Sequence, residues 1–360
     1  MSAGTWRWFL GYASIFVYAL AMALILTPLA RKFSHRAAML DEPGERKIHH
    51  EPMPLLGGLA VFIAFATAVL VSAVLVFLLA RRFAWLMPFQ YGFVHRAGEL
   101  AGVLSGGLMM LILGMVDDKY DLSPAAKLVG QILIATITVF AGLRLKLFVP
   151  NPWLAGMVTV FWIITVTNAM NFFDNMDGLC AGVGLIAALS FGAIAGFREQ
   201  YLVCGLALAF AGALLGFLFS NFYPAKIFLG DSGSHFVGYM LAVLAILPTF
   251  YKTGEPTPLP VLSPLLILAL PLFDAMVVIG LRLSSGRPIY RGDANHLSHR
   301  LASLGIPQAA VVMILYLLQL TLCLGSVLLL WVPATVAVLV LAQCVLILLV
   351  VSLLEYFAGK

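Results

Sequence analysis

The sequence predicts an all-α, polytopic integral membrane protein with about eleven transmembrane helices, and three observations carry that reading. Apolar residues make up 62% of the 360 residues, with a mean hydropathy of +1.03. Charged residues account for 10%, against about 25% in a soluble globular domain. Apolar runs of about 20 residues, enough to cross a bilayer, recur from end to end, and no polar stretch between them is long enough to fold alone. Residues 1–360 therefore read as a single transmembrane domain.

Breaks at Gly, Pro and charged residues place the spans at starts near 8, 55, 97, 128, 153, 178, 201, 232, 261, 309 and 333. The first run, Trp8 to Ala30, follows Arg7 and is closed by Arg31 and Lys32. It is too long for the apolar segment of a secretory signal and reads as a retained helix. Cys180, Cys204, Cys323 and Cys344 lie in or beside apolar spans without CxxC spacing, as buried small apolar residues rather than disulfides or metal ligands. A pI of about 9.0 would raise nucleic-acid binding in a soluble chain. Here the basic residues sit in short loops, which suits membrane topology and argues for no nucleic-acid partner. With the N-terminus outside, 13 of the 21 Lys and Arg fall in or beside inside segments, and Arg81, Arg82 and Arg96 in one outer loop run against that bias.

The aspartates mark one side more sharply. Asp41, Asp117, Asp118, Asp121, Asp174, Asp177, Asp231 and Asp293 lie in or beside inside segments, and Asp274 lies within the ninth span. Ionisable groups in or near hydrocarbon are expensive and are commonly kept for function, so this one-sided acidic set is the candidate site. The bland alternative is solvated charge in short loops.

Asp117 and Asp118 close the third span, with Lys127 nine residues after Asp118. Adjacent carboxylates repel unless a proton or cation is shared between them, although such a pair also marks turns. Asn171, Asp174 and Asp177 follow at i, i+3 spacing and would share one face of a helix. Oxygen donors of this kind suit hard cations, Mg2+ or Mn2+, rather than zinc. In Phe228 to His235 a Gly- and Ser-rich stretch containing Asp231 opens a helix, where backbone N–H groups can hold a phosphate or simply a capping turn. The largest inside loop carries Arg287, Arg291, Asp293, Asn295, His296, Ser298, His299 and Arg300, a set suited to diphosphate oxygens. His49 and His50 read as surface residues. Carboxylates for a hard metal, cations for a diphosphate and a membrane interface together describe phosphoryl transfer to or from a lipid.

These residues resemble the polyprenyl-phosphate N-acetylhexosamine-1-phosphate transferases. The matching blocks, in family order, are Glu45-Arg46-Lys47-Ile48-His49 with Pro54 and Gly57-Gly58, then Asp117-Asp118 with Lys127, Asn168 to Gly178, Phe228 to Gly233, and Asp293 to Leu301. The resemblance implies a multi-pass enzyme of the inner (cytoplasmic) membrane, its site facing the cytoplasm. It would pass a sugar phosphate from a UDP-N-acetylhexosamine to undecaprenyl phosphate and release UMP, with Mg2+ as cofactor. By the same resemblance Asp231 and Asn171 are the metal side of the site, Asn171 lying beside metal and diphosphate. Asp117 and Asp118 meet the lipid phosphate, and Lys127 lies close to the phosphates. Asp174 and Asp177 are downstream acidic residues, and His296 and His299, with Arg291 and Arg300, are on the substrate side. A homodimer is compatible with it. Two positions depart from the family pattern: Asn175 stands where many members have glycine, and Ser298 replaces the middle histidine of an HxHH motif. On this reading Ser298→His is expected to be tolerated.

The first inside loop resembles the N-acetylglucosamine-1-phosphate branch rather than the muramoyl-pentapeptide branch, which is the alternative. A secondary transporter is the rival from another class, but it would place acids near the bilayer midplane, and the sequence shows no repeated half.

Overall fold

The computed structural model describes residues 3–43, 51–145, 151–251, 255, 257–286, 288 and 296–358. Among them the chain forms α1 (Ala3–Ala37), α2 (Gly57–Leu79), α3 (Met87–His95), α4 (Ala97–Tyr120), α5 (Pro124–Phe140), α6 (Pro152–Phe173) and α7 (Leu179–Phe197). It continues with α8 (Tyr201–Asn221), α9 (Gly230–Ile246), α10 (Ser263–Ile267), α11 (Ala269–Ser284), α12 (Leu297–Ser303), α13 (Gln308–Leu328) and α14 (Ala334–Ala358). The first loop adds a short antiparallel pair, β1 (Leu40–Asp41) with β2 (Met53–Pro54), in the register Leu40 to Pro54 and Asp41 to Met53.

The protein is an all-helical, multi-pass membrane protein, and all eleven expected segments are helical. The expected count of eleven spans is not reproduced. Among the described residues eight helices are long and apolar enough to cross, and α10 with its preceding turn joins α11 at a 65° bend to make up to nine. The shortfall lies in α5 and α9, of 17 residues each, or about 25 Å of helix against a hydrocarbon layer of about 30 Å. For α9 the reason is its place. Every residue from Ser232 to Ala245 is buried, so its surroundings are other helices, and its length need not match the lipid.

Small residues admit those helices. A Cβ on Gly58 would stand 2.3 Å from Gly233 Cα, one on Gly114 2.4 Å from the Asp231 carbonyl, and one on Gly238 2.6 Å from Thr167 Cα. α2, α4 and α6 therefore meet α9 backbone to backbone, the contact that drives helix association where lipid removes the hydrophobic incentive. Below the first turn of α9 an aromatic cluster fixes its rotation: the Phe236 ring lies 5.2 Å from Phe62, 6.0 Å from Phe65 and 5.7 Å from Phe210. Outward-facing Phe161, Leu78 and Leu339 are exposed, as expected where the surrounding solvent is hydrocarbon.

The first loop docks on the same helix start. The Gly57 and Gly58 N–H groups, orphan donors of α2, donate to the carbonyls of Phe228 and Leu229 at 3.1 and 3.0 Å, and the Phe228 N–H donates to Pro54 O at 2.8 Å. Pro54 and the Gly57-Gly58 pair thus act as the cradle of the chain leading into α9.

The Gly58 crossing yields a measurable expectation. Gly58→Ala should destabilise the protein by about 1–3 kcal/mol through overpacking, read as a lower thermal unfolding midpoint in detergent. Gly280→Ala, whose Cβ would meet nothing within 4 Å, should leave the midpoint unchanged or raised.

Candidate active site

The site forms where the ends of α4 and α6 meet the starts of α5 and α9. α4 stops at Asp121, which adopts a left-handed φ of 50° and donates its N–H to Asp117 O at 2.9 Å. Pro124 then opens α5, and the Ser123 hydroxyl caps it by accepting from Ala126 N–H at 3.3 Å. This tight reversal lays the first turn of α5 over the last turn of α4. Lys127 consequently contacts the Asp117 carboxylate and reaches Asp231 Oδ2 at 2.8 Å. Asp117 is buried, and its Oδ1 also accepts from Leu122 N–H at 3.0 Å.

The adjacent aspartates divide their work. Asp118 Oδ1 accepts the Asp231 N–H at 2.8 Å and Oδ2 accepts the Ser232 N–H at 3.0 Å. Both oxygens are therefore spent on the first turn of α9, satisfying donors that a helix start leaves open and favoured by its positive end. The approach needs Gly230, with φ 72°, because a Cβ there would meet Leu55 O at 2.5 Å and Asp118 Oδ2 at 2.8 Å. In this geometry Asp118 acts on Asp231 rather than facing the cleft beside Asp117.

From α6, Asn171 donates through its amide to Asp231 Oδ1 and to Ser234 Oγ, each at 2.9 Å. One turn earlier, Asn168 and Gln131 exchange amide hydrogen bonds of 2.7 and 3.3 Å and tie α6 to α5. The helical face expected for Asn171, Asp174 and Asp177 does not form, because α6 ends at Phe173. Asp174 stays beside the cleft, while Asp177 turns away and accepts Ala225 N–H at 2.9 Å, pinning the loop that leads to α9. Loss of water around Asp174 pushes its carboxyl well above the ordinary range, and the negative charges of Asp231, Asp118 and Asp177 add to that shift.

The two histidines expected on the substrate side flank the start of α12, His296 just before it and His299 in its first turn. His296 Nδ1 is 2.8 Å from Asp274 Oδ2, and Leu297 N–H donates to Asp274 Oδ1 at 2.7 Å. The His296 ring lies 6.3 Å from Phe172, next to Asn171, and 6.4 Å from the ring of His299. Burial lowers the His299 pKa, and His296 lowers it further. Arg300 follows on the same short helix and takes part in contacts of its own. Arg287, Arg291, Asp293, Asn295, the Glu45–His49 block and His50 lie outside the described residues.

Sequence reasoning missed three partners. Asp274 was recognised as an acid inside a span, a placement that itself demands a partner, but its partner, 22 residues on, was not identified. Arg282, two turns further along α11, stacks over Phe172 with its guanidinium 5.4 Å from the ring centroid. The two departures from the family pattern touch: Ser298, fully buried, donates its hydroxyl to Asn175 Oδ1, and the Asn175 amide donates to Phe172 O at 2.9 Å. A histidine at 298 would have to displace this contact with Asn175, so the structure ties the expected tolerance of Ser298→His to the residue at 175.

Lys127 is in direct contact with two carboxylates, Asp117 and Asp231, while Asp118 holds the Asp231 backbone and Asp174 lies close enough to feel the charges of Asp231 and Asp118. Such a surplus of negative charge cannot receive an anionic ligand without a further cation. Among the described residues no three His, Cys, Asp or Glu side chains enclose an ion. Asp231 and Asn171, the two residues expected to hold a cation, lie side by side, the Asn171 amide donating to Asp231 Oδ1.

Residues 100–249, from α4 to the end of α9, match the model of glycosyl transferase family 4. The chain is 33% identical over 311 residues to the probable undecaprenyl-phosphate N-acetylglucosaminyl 1-phosphate transferase of Bacillus subtilis, covering 84% of this chain and 80% of that protein. It is 34% identical over 317 residues to the decaprenyl-phosphate N-acetylglucosaminephosphotransferase of Mycolicibacterium smegmatis, covering 81% and 75%. Against the phospho-N-acetylmuramoyl-pentapeptide-transferase of Bacillus cytotoxicus the identity is 30% over 252 residues, covering 64% and 72%.

Two substitutions test this geometry. Asp118→Asn should cost about 1–3 kcal/mol, because one backbone N–H of α9 then faces an amide NH2 instead of an oxygen, and the unfolding midpoint in detergent should fall accordingly. Ser298→His should likewise lower the midpoint, and Asn175→Gly introduced with it should restore part of the loss. Equal midpoints for the single and double variants would show that the two positions are independent.

Proposed function

The chain belongs to glycosyl transferase family 4, and from that premise we propose that it transfers N-acetylglucosamine 1-phosphate from UDP-N-acetylglucosamine to undecaprenyl phosphate, releasing UMP. The observation that carries the reading is the setting of Asp231: Asp118 holds its backbone, while Lys127 at 2.8 Å and Asn171 at 2.9 Å hold its two carboxylate oxygens. The choice of N-acetylglucosamine rests on the relatives that match over most of both chains.

In the reaction an oxygen of the lipid phosphate attacks the sugar-linked phosphorus, the bond from that phosphorus to the bridging oxygen breaks, and UMP leaves with the bridging oxygen. A phosphate monoester is largely ionised near neutral pH, so the site has little need of a base and its task is positioning and charge. Lys127, held between Asp117 and Asp231, presents an ammonium to phosphate oxygens from a fixed point. His296 and His299, near Phe172, serve the sugar nucleotide, with Arg291 and Arg300 as further cations for the diphosphate. Asp174, whose carboxyl is pushed up by loss of water and by the neighbouring carboxylates, repels the substrate less than an ordinary carboxylate would. Mg2+, with Mn2+ as substitute, would be held by Asp231 and Asn171 and would offset the charge that the diphosphate brings into an acidic cleft. On this reading the site faces the cytoplasm at the surface of the inner membrane, where the lipid phosphate resides, and the basic bias of the loops on that side supports the orientation. A homodimer is compatible with the fold but is not needed by the chemistry.

The test is UMP release by purified protein in detergent with undecaprenyl phosphate, Mg2+ and a panel of UDP-sugars, with the lipid product weighed by mass spectrometry. UDP-N-acetylglucosamine should be converted and chelation of the divalent cation should stop turnover. Conversion of UDP-N-acetylmuramoyl-pentapeptide instead would move the protein to the other branch. Asp231→Asn should lower turnover by more than about 100-fold in protein that stays folded, and near-normal activity would remove Asp231 from the metal.

A further inference from the structure

We propose that Asp274 is a positioning residue for His296, fixing the imidazole with its proton on Nδ1 and leaving Nε2 for the substrate. The inference deepens the transferase reading and rests on it for its catalytic part alone. The geometry is that of a carboxylate holding two groups at once. Asp274 Oδ2 lies 2.8 Å from His296 Nδ1, and Asp274 Oδ1 accepts the N–H of Leu297 at 2.7 Å. Asp274 is 2% exposed and His296 5%, so the pair is closed off from solvent that would compete for these bonds.

A carboxylate can only accept from a neutral imidazole through the ring's N–H, so contact at Nδ1 selects that tautomer and makes Nε2 the nitrogen available to a ligand. The second bond selects where the ring sits. Asp274 lies ten residues before the end of α11 at Ser284, roughly 15 Å along the helix axis, and the chain must return by that distance for Leu297 to reach it. The carboxylate therefore draws the start of α12 back along α11 and seats His296 beside Phe172, at 6.3 Å, whose chain neighbour Asn171 holds Asp231. The other charged group on this stretch of α11, Arg282, stacks on the same Phe172 ring, and His299 is the titratable neighbour on α12.

Two roles can be separated. If Asp274 served only to anchor the loop through Leu297 N–H, asparagine would replace it, because the amide oxygen still accepts that bond. If it sets the tautomer, asparagine fails, because its amide N–H2 turned to Nδ1 would make Nδ1 the acceptor and move the proton to Nε2. The experiment combines a spectrum with an assay on the full-length protein. Solid-state 15N spectra of histidine-labelled protein in lipid, with His296→Asn used to assign the signal, should show Nδ1–H in the wild type and Nε2–H in Asp274→Asn. In parallel, UMP release should fall by about 10- to 100-fold in Asp274→Asn, with little further loss when His296→Asn is added, since the two residues act as a unit. An unchanged His296 spectrum in Asp274→Asn overturns the proposal whatever the activity. Wild-type turnover in Asp274→Asn despite a switched tautomer overturns its part in catalysis. A switched tautomer in protein whose wild type releases no UMP from any donor upholds the positioning and defeats the transferase reading instead.

Discussion

The structure depends on carboxylates that hold the backbone at helix starts. Asp118 spends both oxygens on the second and third N–H groups of α9, those of Asp231 and Ser232, and Asp274 spends one on the first N–H of α12. Each is a charge-assisted hydrogen bond at a helix terminus, where donors lack partners and the helix end favours negative charge. The consequence is geometric. The helix starts that carry Asp231, His296 and His299 have their positions fixed by acids on α4 and α11, while Lys127, Asn171 and Asp274 in turn orient the Asp231 and His296 side chains. A site that must bind two mobile anionic substrates at a membrane surface gains most from such preorganisation, because each ångström of slack is lost from the alignment of the reacting phosphates.

Small residues make those bonds reachable. Gly114, one turn before Asp118, allows α4 to approach the Asp231 carbonyl, and Gly58 allows α2 to approach Gly233 on the other side of α9. Without those crossings the carboxylate of Asp118 would stand too far from the backbone it caps. The chain leading into α9 is fixed in the same way, by Gly57 and Gly58 donating to Phe228 and Leu229. The glycines and the acids are thus two parts of one device, close approach followed by charge-assisted closure, and it explains how a 17-residue helix can sit at the centre of a bundle whose other helices are set by the thickness of the bilayer.

This device sets the limit of what the sequence discloses. The helical segments were legible because a span is a property of one continuous run, and each expected segment is a helix. The count of spans was not, because whether α5 or α9 crosses depends on its neighbours, and α9 is surrounded by protein. The acids were legible as a set, since Asp117, Asp118, Asn171, Asp174 and Asp231 do gather at one end of the bundle with Lys127. Their division of labour was not, since Asp117 is held by the nearby Lys127 whereas the partner that claims Asp118, the start of α9, lies more than 100 residues away. The i, i+3 spacing of Asn171, Asp174 and Asp177 misled because it assumed a helix that stops at Phe173. Asn175 and Ser298 each appear as an isolated departure in the chain, and only the structure brings them into contact.

The same reasoning decides what an acid within a span means. An intramembrane aspartate is costly whether it carries an ion across the bilayer or orients a catalytic group, so its presence alone does not separate a transporter from an enzyme. Its partners do. A coupling-ion site needs carboxylate oxygens that exchange between the ion and water as the protein alternates. In Asp274 each oxygen already accepts a bond, from an imidazole and from a backbone N–H, and the residue is shut away at 2% exposure. Both partners, moreover, belong to the segment that brings His296 beside Phe172. The cost of burying this charge is offset by holding a second residue in one place and one tautomer, which is useful to a reaction at a fixed point and of little use to a path along which an ion must move.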